Sequence, residues 1–375
     1  MTSENKTSAT EQVTNPDSVI ANVGKRGGDL LLNRPKALNS LDLDMVRIIN
    51  AALDKWRESD EIEHVVVRSE HPKAFCAGGD VRTIRQAILD GDPEHGEIFF
   101  AEEYEMNAAI AEFSEVKPYI AIIDGIAMGG GLGVSMHGSH RIVTERASAS
   151  MPEMAIGFIP DVGITHFSQH VVGRSGSASK SIARFTGLTG YRLSAADMLW
   201  AGWATHLVPS ADLESFRAML DDEGLDAALE KFSVDPVSDA AKELVGESAL
   251  AAQAKCVEEC FSGSTWLEIE AKLDEKTAGG GGCSRAQIHE FNELLRSASA
   301  ASLVAAVEVY EANAGADVTL RQALDNEMRV GEIMRRHRNF AEGVRAVLVD
   351  KDRNARFDPQ RADAVDPKVF RAVLN

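Results

Sequence analysis

Short β-branched runs alternate with amphipathic helical patterns along the first part of the chain, and the pattern then turns helical throughout. "HVVVRS" (64–69), "YIAIIDG" (119–125) and "SHRIVTE" (139–145) read as buried strands, because brief apolar runs bounded by polar or glycine positions suit a sheet covered on both faces. Between them, "LDMVRIINAALDKWRES" (43–59) and "FFAEEYEMNAAIAEFSEV" (99–116) repeat apolar residues at helical spacing. The alternation predicts a layered α/β core over about 17–210.

Beyond residue 210 the β-type runs stop. "LESFRAMLDD", "AALEKF", "KELVGESALAAQAKCVEECF" and "WLEIEAKLDE" predict amphipathic helices, so 211–375 is expected to be a mainly helical region. "TAGGGGCS" (277–284) interrupts it as a loop, and without a preceding strand or a following Lys-Ser/Thr it is no phosphate cradle. "TLRQALDNEMRVGEIMRRHRNFAEGVRAVLVDKD" predicts a long helix or helix pair, on which Arg335, Arg336 and Arg338 read as a solvated face.

Composition narrows the class. A chain of 375 residues with 44% hydrophobic and 26% charged residues is an ordinary globular protein of one or two domains. A formal net charge of -19 argues against non-specific nucleic-acid binding, which needs clustered Lys and Arg. There is no run of about 18 apolar residues, so no transmembrane helix is expected. Residues 1–16 are polar, lack an apolar or Arg-rich targeting pattern, and are expected to be a disordered tail on a cytoplasmic protein. The four cysteines (76, 256, 260, 283) lack paired CxxC spacing, which favours reduced thiols. Cys256 and Cys260 stand at i, i+4 and in principle share a metal, but without a second pair or a nearby His they read as small buried side chains.

Chemistry concentrates in three segments. "KAFCAGGDV" (73–81) and "GIAMGGGLGVSMHG" (125–138) put glycines where a strand ends, so that backbone N–H groups come close to a ligand oxygen. "MPEMAIGFIPDVG" (151–163) puts two acids, Glu153 and Asp161, in an otherwise apolar run. Alone, each has a bland reading: turn glycines, a first-turn helix acid after Pro152, and a turn Asp after Pro160. His137 reads as a hydrogen-bonded core histidine.

Together with "LNRPKALNSL" (32–41), these motifs resemble, in order and spacing, the enoyl-CoA hydratase/isomerase (crotonase) superfamily. The pattern "MPE...IGxxPDVG" and the ending "EGVRAVLVDKDRNARFDP" (342–359) are similar to its branch that hydrolyses short branched 3-hydroxyacyl-CoA thioesters. The resemblance implies a spiral core of repeated ββα units followed by a helical C-terminal region that in many relatives builds trimer-based oligomers. It implies a 3-hydroxyisobutyryl chain as the acyl group, as in valine breakdown, with coenzyme A as part of the substrate and neither metal nor cofactor.

Carried over by position, the resemblance assigns Gly79 and Gly130 as oxyanion-hole amides, and Glu153 and Asp161 as the catalytic carboxylates. Lys36, Ala37, Ala77 and Asp80 are candidates for contacting CoA. Glu103, in "EEY", falls at the substrate's acyl end, with a solvated helical acid as the competing reading. Hydratases of the superfamily carry a second acid in "GGGxE", where this chain has Gly133. One acid is lost there and another gained at Asp161, which favours thioester hydrolysis. The alternatives are a hydratase or isomerase on the same scaffold and a non-catalytic acyl-CoA-binding protein.

Overall fold

A computed structural model describes residues 17–174, 176 and 178–375, so the expected tail lies outside the described residues. Among the described residues, ten strands form two sheets. The larger contains β1 (Val19–Val23), β2 (Gly27–Leu32), β3 (His64–Ser69), β5 (Tyr119–Ile123), β7 (His140–Val143) and β10 (His206–Leu207) in that spatial order. The smaller contains β4 (Ala74–Cys76), β6 (Ile126–Met128), β8 (Ser148–Ser150) and β9 (Leu193–Ser194). β1 runs antiparallel to β2, and β2, β3, β5, β7 and β10 are parallel neighbours.

The repeat is legible in this order. β3–β4, β5–β6 and β7–β8 each place one strand in the large sheet and the next in the small one before a helical segment follows. Every residue of β5 and the run His64–Arg68 of β3 are buried, and YIAII and the central Val65–Val67 read as continuous apolar runs covered on both faces. Each such Val or Ile contributes roughly 1.5–3 kcal/mol on leaving water. One face of the large sheet packs against helices Leu213–Glu223 and Leu225–Phe232 through Val66, Ile120, Ile142, Phe216 and Ala228. A single larger core extends from Val19 to Phe370 and joins both parts of the chain.

β4, β6 and β8 are parallel neighbours, with Ala74 opposite Ile126 and Met128 opposite Ser150. Their carboxyl ends therefore lie side by side, and so do the turns that leave them: Ala77–Asp80, Gly129–Gly131 and Met151–Glu153. Ligands of α/β folds sit at such ends. This topology brings together segments that are far apart in the sequence.

Two details differ from the sequence reading, and a third settles an alternative it left open. "KELVGESALAAQAKCVEECF" is broken at Gly246, whose φ of 77° ends one helix at Val245, and Ser248 caps a second, Ala249–Cys260. The long C-terminal pattern is a pair, Leu320–Arg336 and Arg338–Val344, parted by the extended His337, whose ring caps Asn339 N–H. Finally, Cys256 and Cys283 form a disulfide, correcting the expectation of four reduced thiols. The glycine loop folds back on Ala249–Cys260 and sets these Cα atoms 5.2 Å apart, a closure that CxxC spacing does not reveal. Cys76 and Cys260 are free and buried. Among the described residues no helix is long and apolar enough to cross a membrane.

Candidate active site

The turn after β4 is held by Leu38 and Leu41. Leu41 donates to Gly78 O (2.8 Å) and accepts from Asp80 N–H (2.9 Å), so Gly79, opposite it, keeps its N–H out of the ladder. The turn after β6 opens the helix Gly130–Met136, whose first N–H groups have no partner within the helix. Among the described residues, neither the Gly79 nor the Gly130 amide has an acceptor. A β-carbon on Gly130 would stand 3.2 Å from Gly79 N and would run into Glu103 Oε1. Gly129 adopts φ 46°, and a β-carbon there would meet Glu153 Oε1 at 2.8 Å. Two free amides and two acids thus meet at one point.

Glu103, Glu153 and Asp161 are all buried, so the structure brings together both predicted catalytic acids and the predicted acyl-end acid. Glu103 is no solvated acid. In the helix Pro93–Ser114 it belongs to the buried stripe Gly96, Phe99, Phe100, Tyr104, Asn107 and Ile110, while Glu102 turns outward to Arg47. Glu153 starts a 3-10 turn (Glu153–Ile156) after Pro152, so its helix-start reading also holds locally. Glu103 Oε1 and Glu153 Oε2 have no hydrogen-bond partner among the described residues. Asp161 accepts from Tyr104 Oη at 2.7 Å.

This difference in partners sorts the three acids. Burial and the neighbouring Asp161 charge push Glu103 and Glu153 well above the usual carboxylate range, and Glu103 adds to the shift at Glu153. Burial raises Asp161 only to about 7, because the Tyr104 hydroxyl and the Arg335 guanidinium both stabilise its ionised form. The first negative charge in this chamber therefore settles on Asp161.

Arg335, read from the sequence as part of a solvated face, is 4% exposed, whereas Arg336 and Arg338 do lie at the surface paired with Glu97 and Asp358. The helix Leu320–Arg336 buries Ala323, Leu324, Glu327, Val330, Gly331 and Met334, and Arg335 continues that stripe. Its guanidinium lies 4.4 Å from the Phe100 ring centroid, with Nε and Nη1 unpartnered among the described residues. Glu327, on the same helix, accepts from Gly163 N–H (2.7 Å) and from the Thr165 amide and hydroxyl, fixing the turn behind Asp161. His137 Nε2 lies 2.7 Å from Val162 O, and burial lowers its pKa to about 4; the neutral ring donates there, as its structural reading requires.

Gly133 faces Asn107 and Val162. A β-carbon would approach Asn107 Nδ2 to 2.7 Å and Val162 Cβ to 2.9 Å, so the space of the missing hydratase acid is already filled. Asn107 presents an amide with no partner among the described residues. Gly133→Ala is expected to destabilise the fold by about 1–3 kcal/mol through overpacking, read from the urea midpoint. An unchanged midpoint would mean that Asn107 yields freely.

The CoA candidates divide. Lys36 is exposed and Ala37 half-buried on the 3-10 turn Pro35–Ala37, and Ala77 N–H donates to Leu38 O. Asp80 caps the helix Val81–Leu89 and pairs with Arg34 at 3.0 Å, so its carboxylate is already occupied. Arg34 also binds Asp42 at 3.0 Å and lines a cavity of about 230 Å³ with Asp80, Thr83, His95 and Phe99. Phe99 lies against Gly79, so this cavity adjoins the free amides.

A family model described as enoyl-CoA hydratase/isomerase matches residues 28–374, and the chain belongs to that family. It is 36% identical over 346 residues to a Xenopus laevis protein named "3-hydroxyisobutyryl-CoA hydrolase, mitochondrial", covering 90% of this chain and 83% of that one. The human protein of the same name is 35% identical, with 88% and 82% covered. Among solved structures, a carnitinyl-CoA dehydratase from Mycobacterium thermoresistibile matches with TM-score 0.83 at 32% identity over 96% of both chains. An enoyl-CoA hydratase from Rhodobacter sphaeroides 2.4.1 matches with TM-score 0.81 at 35% identity over 95% and 97%. The fold is thus of the crotonase type. The mitochondrial relatives overturn the cytoplasmic expectation, which rested on residues 1–16, a stretch outside the described residues.

Proposed function

We propose that the protein hydrolyses the thioester of a short branched 3-hydroxyacyl-CoA, with 3-hydroxyisobutyryl-CoA as the substrate, as in valine breakdown. Acyl-CoA is the substrate class of the family, and the relatives that bear the hydrolase name support the reaction type. The observation that carries the reading is the meeting of two unpartnered amides with buried acids at a point where the second hydratase acid has no room.

In this reading the thioester oxygen accepts from Gly79 and Gly130 N–H, which stabilise the charge developing on it. Glu153 gives its proton to Asp161, so the chamber keeps one negative charge, and then attacks the acyl carbon or takes a proton from the attacking water. The tetrahedral intermediate collapses, the C–S bond breaks and CoA leaves as thiolate. On the covalent route, water then cleaves the acyl–Glu153 anhydride. Glu103, held protonated, lies beside the oxyanion without repelling it. Glu103 and the free Asn107 amide are the groups available to the acyl hydroxyl. Lys36, Ala37 and Ala77 line the approach for CoA, with Arg34 in place of Asp80 as its cationic neighbour.

The second reading, hydration of an enoyl-CoA, is favoured by the names of the two structural neighbours, a carnitinyl-CoA dehydratase and an enoyl-CoA hydratase. Incubation with 3-hydroxyisobutyryl-CoA is expected to release free thiol, while crotonyl-CoA keeps its enoyl absorbance. Loss of that absorbance without thiol release would replace the hydrolase reading with the hydratase one.

A further inference from the structure

The helical region carries a second cluster of reactive side chains. Cys256 and Cys260 stand one turn apart on the helix Ala249–Cys260, and Cys283 reaches them from the glycine loop that follows the helix Trp266–Thr277. The three Sγ atoms lie within 4.8 Å of one another, and the free Cys260 Sγ is 3.9 Å from Cys283 Sγ. Two chemistries use such a group. Thiol–disulfide exchange needs the attacking sulfur in line with the bond it breaks, which would set the outer sulfurs about 6 Å apart. Here the sulfurs form a compact triangle instead. A triangle is one face of a tetrahedral thiolate site, in which metal–sulfur bonds of about 2.3 Å put neighbouring sulfurs about 3.8 Å apart.

We propose that reduction of the Cys256–Cys283 disulfide turns this cluster into a binding site for one zinc-type cation. A dithiol reductant supplies two electrons and two protons, the S–S bond becomes two thiols, and the reductant leaves as its own disulfide. The cation then displaces the three thiol protons and is held by three thiolates, with its fourth position open to water beside the half-buried Cys283. The surroundings suit this. Gly279 and Gly282 have φ of 104° and 99°, giving the loop the freedom to move Cys283 Sγ from bonding distance to ligand distance. Lys276 holds that loop to the helix, binding Glu259 at 2.9 Å and the Gly281 carbonyl.

The test uses the full chain, reduced with a phosphine, stripped with a chelator and titrated with Zn²⁺ alone against a chromophoric competitor. The reduced protein is expected to bind one ion per chain, and the disulfide form to bind at least about a hundredfold more weakly. Co²⁺ alone should give a thiolate-to-metal charge-transfer band in the reduced protein. Cys260→Ser keeps the disulfide pair and should weaken binding to the reduced chain at least about a hundredfold, with thioester turnover unchanged. Cys283→Ser, on the loop, should do the same where Cys260→Ser fails to fold. Failure of the reduced wild type to bind Zn²⁺, or binding unmoved by the substitutions, would overturn the proposal.

Discussion

Glu153→Gln is expected to lower kcat by between about a hundredfold and ten-thousandfold, the range that a positioned base or nucleophile supplies, while leaving acyl-CoA binding largely intact. Glutamine keeps the shape of the side chain and removes only the carboxylate. The same change should stabilise the fold in a pH-dependent way. The folded pKa of Glu153 lies well above its ordinary 4.5, so its contribution to stability is fully present below 4.5 and is lost as pH rises through the folded value. Glutamine carries no such loss. The two proteins should therefore melt alike near pH 4.5 and diverge in favour of the glutamine variant as pH rises toward the folded pKa. Each pH unit in that interval is worth about 1.4 kcal/mol. Thermal melts across pH, beside steady-state thiol release, read both effects. Retained turnover would move the essential group to another acid; a melting difference flat in pH would remove the buried-proton account.

The strands were legible because their signal is local. "HVVVRS" coincides with β3, since its centre Val65–Val67 is buried on both faces and calls for consecutive apolar residues. The resemblance named Gly79, Gly130, Glu153 and Asp161, and it is the parallel order β4–β6–β8 that gathers the turns carrying the first three. Helix periodicity held more than was taken from it. Glu103 falls on the stripe of Phe99, Phe100 and Asn107, and Arg335 on that of Glu327, Val330 and Met334, so both are marked as inward by spacing alone. A charged residue on an apolar stripe costs free energy unless it is paired or functional, which is the signal that separates Arg335 from Arg336 and Arg338. The Cys256–Cys283 pairing, by contrast, depends on how a glycine loop folds back over a helix, and no local pattern encodes that.

Arg335→Met is expected to move the rising limb of the kcat–pH profile upward. The wild-type limb should lie near pH 7, where Asp161 takes on the chamber's charge. Burial drives that pKa up, and Tyr104 and Arg335 hold it down; methionine removes the cation and leaves the Tyr104 bond of 2.7 Å in place. A positive charge in the same buried site favours the ionised carboxylate, so losing it should raise the pKa of Asp161. At pH 7 the ionised fraction of Asp161 and the turnover with it should then fall, and turnover should recover as the pH is raised. Arg335→Lys keeps the charge and should restore much of the profile, which a purely packing role against Phe100 would not predict. The decisive outcome is the limb: if Arg335→Met loses activity equally at every pH, the guanidinium acts by shape, and Asp161 draws its charge from Tyr104 alone.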